Sequence, residues 1–332
     1  MRCLFEFVCV LALGVAPLVG CGEPAGDGGT GGQGGIAGRG GAGGGNSPRF
    51  NPLEGIGTVE LVADGFGRTE GPTWRMAEQT LLFSDIPAAT IYKLTPPDTI
   101  SVFRADTGGT NGLDSDVDEL LLVAEHGNRR VSRTLSDGTI VDVASEYRGD
   151  RLNSPNDIAV RSDGTIYFTD PPYFIDEAEQ ELEFNGVFRV DPDGELTAEW
   201  EGAKSTRPNG LVLSPDESVV YVAQADPGHL VMAFDVDPNG SLSGERTFVD
   251  YVAFPDGMAM DTGGNLYVAA FGGVWVYDPE GNQWGIIETP RNPFNCAFGG
   301  DDARTLYITG GHAPEYTGGA LYKVSLVHPG LH

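Results

Sequence analysis

Residues 166–170 read IYFTD, a run of β-branched and aromatic residues that ends on an acidic side chain. Runs of the same kind recur along the chain: LLFSD from Leu81, LLVAE from Leu121, VYVAQ from Val220, LYVAA from Leu266 and LYITG from Leu306. The six runs start 40 to 54 residues apart, a spacing typical of repeats that each hold four short antiparallel strands. This period predicts an all-β fold, a six-bladed β-propeller, over residues 50–328.

A second strand and a turn follow the runs, as in VFRVDPDG and MAFDVDPNG. Asp-Gly and Asn-Gly pairs at these places are typical of hairpin turns, because they supply the positive φ angles that tight connections need. Two sandwich domains, the alternative all-β arrangement, would show no common period through the whole chain. The period therefore favours one propeller.

Charge excludes one large class of partner. The 332 residues include 48 Asp and Glu against 20 Lys and Arg, a formal net charge of −28 that repels nucleic-acid phosphates and anionic lipids. We therefore expect no nucleic-acid partner, and we expect a monomer. Of the four cysteines, three lie in residues 1–21, so Cys296 has no disulfide partner in the predicted propeller. This argues against redox chemistry.

The N-terminus predicts export. Residues 1–21 carry a basic residue, a short apolar run and the sequence LVGC, which resembles a bacterial lipobox ending at an acylated Cys21. An ordinary cleaved signal peptide with an incidental cysteine is the alternative. Residues 22–49 are glycine-rich and predict a flexible tether. We expect the protein to reach a membrane only through this lipid anchor, in the outer membrane and periplasm or on the surface of a bacterium.

Six polar residues share one register. Each lies ten or eleven residues before a repeated run and carries a side-chain oxygen: Glu70, Asn111, Asn156, Asn209, Asp256 and Asn295. Taken alone, Asn209-Gly210 or Asp256-Gly257 is more typical of a plain turn. In a closed propeller, however, equivalent positions are related by rotation about the axis, so the six predict a ring at one mouth of the channel.

Two carboxylates and four carboxamides are hard oxygen ligands. They favour Ca²⁺, Mg²⁺ or Mn²⁺, and we expect Ca²⁺ first, with Mg²⁺, Mn²⁺ and Zn²⁺ as the alternatives. The ion in this central channel either takes part in catalysis or holds the blades together, and the sequence is compatible with both.

Longer phrases carry a family resemblance. EGPTW with LLFSDIP, AEHGNRRV, NSPNDIAV with IYFTDPPY, RPNGLVLSPDE, PDGMAMDTGGNLYVA and NCAFGGDDARTLYIT resemble the SMP-30/gluconolactonase/LRE family over about residues 68–324. The resemblance implies a six-bladed propeller that holds a divalent cation and hydrolyses lactone esters, with aldonolactones as the usual substrates.

Individual roles follow from the same resemblance. It implies that Glu70, Asn209 and Asp256 bind the metal, that Asn156 is a fourth ligand or a substrate contact, and that Asp256 is the catalytic acid/base or nucleophile. This sequence departs from the pattern twice. It has Ser154 where sugar-lactone members have an arginine, and DPPYF where they have a glutamate.

Further candidates flank the ring. We expect Asn111, His126, Tyr173 and Ser154 to contact the substrate, with a loop histidine and a packing aromatic as the structural alternatives for His126 and Tyr173. The function predicted is metal-dependent hydrolysis of a small lactone or ester. The alternatives are a non-catalytic, Ca²⁺-stabilised binding propeller and an arylesterase or phosphotriesterase that uses the same site.

Overall fold

A computed structural model describes residues 51–312 and 317–331. The predicted signal peptide, residues 1–21, and tether, residues 22–49, lie outside these residues. The described part forms six four-stranded antiparallel sheets and one two-stranded hairpin, with a single turn of 3₁₀ helix at Glu177–Glu179. The prediction of an all-β, six-bladed propeller is confirmed. In this part of the chain, no helix is long and apolar enough to cross a membrane.

Five blades are built from consecutive strands that run from the channel outward. Blade one contains β2 (Thr69–Arg75), β3 (Thr80–Asp85), β4 (Thr90–Thr95) and β5 (Thr99–Arg104). Blade two contains β6 (Thr110–Ser115), β7 (Leu121–Glu125), β8 (Arg130–Thr134) and β9 (Ile140–Ala144). Blade three contains β12 (Ile158–Val160), β13 (Ile166–Asp170), β14 (Asn185–Val190) and β15 (Leu196–Gly202). The hairpin of β10 (Glu146–Tyr147) and β11 (Asp150–Arg151) precedes blade three.

The remaining blades follow the same plan with one exception. Blade four contains β16 (Pro208–Leu213), β17 (Val219–Gln224), β18 (Leu230–Val236) and β19 (Leu242–Val249). Blade five contains β20 (Met258–Met260), β21 (Leu266–Ala270), β22 (Gly273–Tyr277) and β23 (Gln283–Ile287). Blade six contains β24 (Asn292–Gly299), β25 (Thr305–His312), β26 (Thr317–Ser325) and, as its outermost strand, β1 (Glu60–Phe66).

The two ends of the described chain close the ring. β1 pairs antiparallel with β26, with Glu60 opposite Lys323 and Phe66 opposite Gly319. Just after β1, the Thr69 hydroxyl lies 2.8 Å from the Ala320 carbonyl oxygen and 3.0 Å from that of Gly310. Blade six is therefore completed by a strand from the start of the propeller, which the repeat pattern did not predict.

Six hydrophobic clusters hold the blades together, one at each interface between neighbours. Between blades one and two, for example, Leu82 and Ile91 pack against Leu113 and Val123, all of them buried. The other five clusters join blades two and three, three and four, four and five, five and six, and six and one. Because the second strand of each blade is covered on both faces, the repeated runs are apolar without alternation.

The inner strands approach one another closely around the channel. Each contacts the inner strand of the next blade, and β24 contacts β2, which completes the circle. At the contact between blades four and five, a Cβ built on Gly210 would lie 2.6 Å from the Cα of Gly257. Asn209-Gly210 is therefore part of strand β16, and its glycine serves close packing and not a turn.

Gly210→Ala tests this packing. The added methyl group meets backbone, which has no rotamer to move away, so we expect the free energy of unfolding to fall by about 1–3 kcal/mol. Gly57→Ala is the matched control, because its Cβ would lie in ordinary contact, 3.5 Å from Ser325 Cβ. That variant should match the wild type or gain up to about 1 kcal/mol. Urea denaturation measures both, and equal stability of the two variants would contradict the argument.

Candidate functional site

The six ring residues lie where the inner strands begin. Four lie within inner strands, and Asn156 and Asp256 lie two residues before β12 and β20. Backbone hydrogen bonds to the second strand of the same blade fix this position: Asn156 N donates to Thr169 O at 2.9 Å and Asp256 N to Ala269 O at 2.9 Å. Five of the six residues are buried. Asp256 is partly exposed as a residue, while the protein surrounds its carboxyl group closely enough that burial is the main influence on its pKa.

Contacts between blades bring ring residues together. Gly112 N, next to Asn111, donates to the carbonyl oxygen of Asn156 at 2.8 Å. Farther round the ring, the Asn209 side chain and the charge of Glu70 both act on the Asp256 carboxyl group. Glu70, Asn209 and Asp256, which were expected to bind metal, thus face one another at one end of the channel.

Burial makes the two ring carboxylates costly to ionise. It raises the pKa of Glu70, which the Arg68 guanidinium, 3.2 Å from Oε1, partly counteracts. Burial is also the main cause that holds the pKa of Asp256 well above its ordinary range. The charge of Glu70 raises this pKa further, while the charge of Arg68 and the polar side chain of Asn209 lower it. Two carboxylates that disfavour each other's ionisation are the arrangement that a bound cation stabilises.

The side chain of Asn209 indicates whether a cation fits beside Glu70 and Asp256. Its side chain is buried, and its Oδ1 has no hydrogen-bond partner among the described residues. An unpartnered buried amide oxygen beside two carboxylates is a ready hard ligand. No group of three His, Cys, Asp or Glu side chains in residues 51–312 and 317–331 is arranged to hold a metal. A cation bound by Glu70 and Asp256 would therefore need carboxamide oxygens as its other protein ligands.

Arg68 is a site residue that the sequence analysis missed. Its guanidinium pairs with Glu70 and lies over the rings of Phe174, at 5.8 Å, and Phe294, at 5.0 Å. Asp85, at the end of β3, holds the backbone before it by accepting hydrogen bonds from Gly67 N and Arg68 N at 2.9 and 3.0 Å.

Blade three repeats this turn. Asp170, at the end of β13, accepts hydrogen bonds from Asn153 N and Ser154 N, both at 2.7 Å. Ser154 and Arg68 therefore occupy equivalent positions, each two residues before its ring residue. Ser154 is fully buried, and its hydroxyl has no partner among the described residues. The sequence signal for Arg68 is its position: it lies two residues before Glu70, as Ser154 lies two residues before Asn156.

Asn111 and His126 form a buried pair. The Asn111 amide nitrogen and His126 Nε2 are hydrogen-bonded at 3.1 Å, and His126 Nδ1 is buried without a partner among the described residues. Burial, with a smaller contribution from Arg68, lowers the pKa of His126 to about 3. Phe174 covers the imidazole with 5.1 Å between ring centroids, and Tyr173 lies beside it in the same loop. The neutral imidazole can form hydrogen bonds but does not supply a positive charge to the site.

Two other polar groups are occupied elsewhere. Asn295 Oδ1 accepts a hydrogen bond from Cys296 N at 2.7 Å. Asp157, which follows Asn156, accepts hydrogen bonds from Ile158 N and Leu211 N and so joins blades three and four. Both Asn295 and Asp157 line a cavity of about 410 Å³ that opens toward the opposite end of the channel.

Arg129 has a structural role. It is buried, and its guanidinium donates to the carbonyl oxygens of Leu152, at 2.6 Å, and Glu179, at 3.0 Å. These bonds attach the blade-three loop that contains the 3₁₀ turn Glu177–Glu179 to the segment that leads to Ser154. Arg130 pairs instead with Glu125 and Asp142.

Comparison with known proteins agrees with this architecture. Residues 68–312 match the model of the SMP-30/gluconolactonase/LRE-like region, and the chain belongs to that family. A gluconolactonase of Zymomonas mobilis is 36% identical over 301 residues, which cover 80% of this chain and 83% of that protein. A pentonolactonase of Haloferax volcanii is 26% identical, over 82% of this chain and 96% of the relative.

A solved structure provides a similar match. A gluconolactonase from Xanthomonas campestris is 34% identical and superposes with a TM-score of 0.74, covering 83% of this chain and 91% of its own.

The low pKa of His126 predicts a specific acid sensitivity. Between pH 7 and pH 5 the unfolded chain protonates this histidine, whose ordinary pKa is about 6.5, while the folded protein keeps it neutral. Because the unfolded state then binds more protons, stability falls as the pH drops, by about 2 kcal/mol for this group. Wild type should lose that much more than His126→Gln in urea denaturation at the two pH values. His312→Gln, at an exposed histidine, is the control, and an equal loss in wild type and His126→Gln would refute the assignment.

Proposed function

We propose that this protein hydrolyses lactones with a divalent cation, Ca²⁺ first, bound by Glu70, Asn209, Asp256 and Asn156, and with Asp256 as the proton acceptor. One observation carries the proposal: the Asp256 carboxyl group lies beside the Asn209 side chain, whose Oδ1 is buried and without a partner among the described residues, and the charge of Glu70 raises the pKa of Asp256. These side chains offer oxygens of the kind that hard cations bind.

The enzyme class rests on family membership. The protein is a carboxylic ester hydrolase of the lactonase type, like the gluconolactonase and pentonolactonase relatives. Its substrate is a small lactone, and gluconolactone-like compounds are the first to test.

The reaction needs a base, a polarised carbonyl and a proton for the leaving oxygen. A bound divalent cation supplies Lewis-acid polarisation of the lactone carbonyl. Asp256 accepts a proton from water as the water oxygen bonds to the carbonyl carbon. When the ring carbon–oxygen bond breaks, Asp256 returns that proton to the ring oxygen, and a hydroxy acid is formed. Direct attack of Asp256 on the carbonyl carbon is the variant mechanism.

Neighbouring residues set the properties of Asp256. The surrounding protein raises the pKa of Asp256, which opposes the loss of basicity that coordination imposes on a carboxylate. Asn111, Ser154, Asn156 and Tyr173 are the proposed substrate contacts. His126, neutral and buried beside Asn111, holds that amide in place.

A hydrolysis panel tests class and metal together. The purified protein is assayed with glucono-δ-lactone, an unsubstituted γ-lactone, an aryl acetate and a phosphotriester, with EDTA and with Ca²⁺, Mg²⁺, Mn²⁺ or Zn²⁺ added back. We expect lactone hydrolysis that EDTA abolishes and Ca²⁺ restores. Activity on the aryl ester or phosphotriester alone would instead support those alternatives. Tight Ca²⁺ binding without turnover would identify a binding propeller.

Asp256→Asn separates the roles of ligand and base. The amide keeps shape and an oxygen but cannot accept the proton, so at saturating metal we expect kcat to fall by about two or more orders of magnitude. Asn295→Ala is the ring control, because the Asn295 oxygen already accepts a backbone hydrogen bond. If metal-saturated Asp256→Asn turns over lactone like wild type, Asp256 is a ligand only.

A separate proposal concerns location. The LVGC sequence and the glycine tract that follows it support acylation of Cys21, with the propeller tethered in the outer membrane and periplasm or at the cell surface. Labelling with a fatty-acid probe should mark the wild type and not Cys21→Ser. Absence of label in both would exclude the anchor.

A further inference from the structure

Exposed aromatic side chains are concentrated at the mouth of the site. Five Phe or Tyr side chains in the described residues are largely exposed. Phe103 lies on β5, the outermost strand of blade one. The other four lie in loops on the face that carries the ring residues: Phe174, Tyr251, Phe254 and Phe271. The exposed aliphatic side chains are distributed over other strands and turns, whereas four of the five exposed aromatics lie in loops on this face.

Three of them lie on two adjacent loops, one of which also carries Asp256, and are here called the aromatic rim: Tyr251, Phe254 and Phe271. They are 58%, 62% and 57% exposed, respectively. A backbone hydrogen bond of 2.7 Å from Phe271 N to Ala253 O joins the two loops that carry them. Phe254 is two residues before Asp256, so one loop carries both a rim residue and the proposed catalytic carboxylate.

Backbone conformation supports a functional role for the rim. Phe254 has φ of +52° and Phe174, on the blade-three side of the mouth, has φ of +60°. Nine other non-glycine residues of the described part also have positive φ, but this conformation is least favourable for bulky side chains such as phenylalanine. Phe254 therefore holds an exposed ring in a strained conformation, supported on one side by His229 at 4.3 Å between ring centroids.

We propose that the aromatic rim binds an apolar alkyl or aryl substituent on the lactone, so that the enzyme prefers such lactones to polyhydroxylated ones. This inference rests on the proposed lactonase function. The charge of −28 opposes an anionic lipid surface as the occupant. In blade three, Ser154 stands at the position equivalent to Arg68, so that side of the mouth lacks the cationic hydrogen-bond donor that blade one has.

The test is a series of γ-lactones with no substituent, a butyl chain and a heptyl chain, compared with glucono-δ-lactone. We expect kcat/KM of the wild type to rise at least about tenfold from the unsubstituted to the heptyl lactone, as apolar substituents of this size give in hydrophobic sites. In Phe254→Ser and Phe271→Ser the ratio of the two rates should fall toward one. Phe103→Ser, the matched control, should keep the wild-type ratio.

Phe254→Gly guards against a folding artefact. Glycine adopts a positive φ without strain, so this variant should unfold at the wild-type temperature or above and still lose the chain-length dependence.

The outcomes separate this inference from the proposed function. If no lactone is hydrolysed, the proposed function fails. If lactones are hydrolysed with no effect of chain length, or if Phe254→Gly keeps the effect, the rim does not bind substrate. Flotation with phosphatidylcholine vesicles that depends on Phe254 and Phe271, without a change in selectivity, would assign the rim to a lipid surface and overturn the proposal. If light scattering shows a dimer that Phe254→Ser or Phe271→Ser abolishes, the rim binds a second copy of the chain, and the proposal is overturned.

Discussion

Closure of the ring is the constraint on which the rest of the structure depends. Six sheets can share one channel only if the last blade packs against the first, and here this occurs through pairing of β1 with β26 and through the cluster that joins Trp74 and Leu81 to Tyr307 and Leu321. Each blade has two partners, so no second strand keeps an exposed face. Closure also brings the beginnings of six inner strands to one circle, and the candidate site exists because of that geometry.

The site is assembled from residues far apart in sequence. Glu70 comes from blade one, Asn209 from blade four and Asp256 from blade five, and each is fixed by contacts of its own blade before it meets the others. Such a framework holds buried carboxylates near one another, an arrangement that a flexible chain would relax by exposing them to water. Rigid inner strands position the ring, whereas the loops outside them carry residues that differ from blade to blade. Arg68, Ser154 and Phe254 occupy the same position, two residues before the ring, with different chemistry in each blade.

Much of the fold was predictable because its signal is local and repeated. The six runs are second strands buried on both faces, and such strands are recognisable as short apolar segments at a regular spacing. The register of ring residues was predictable for the same reason, since a fixed distance from each run places them at one end of the inner strands. Glycines in the outer turns have positive φ angles, as their sequence pattern indicated. The glycine after Asn209 has a different role, which only the distance to the neighbouring blade reveals.

The sequence by itself determined the number of blades, the strand order within most of them and the polar ring, because each follows from side-chain type at a repeated interval. Only the tertiary structure decided the contacts that no repeated interval encodes. β1 completes blade six, Arg68 pairs with Glu70 and lies over Phe174, and Asn111 binds His126. The rim residues Tyr251, Phe254 and Phe271 lie on two adjacent loops. These contacts join residues from different blades, or loops whose lengths differ. Their proximity arises only when the ring has closed, so the chain pattern carries no periodic signal for them.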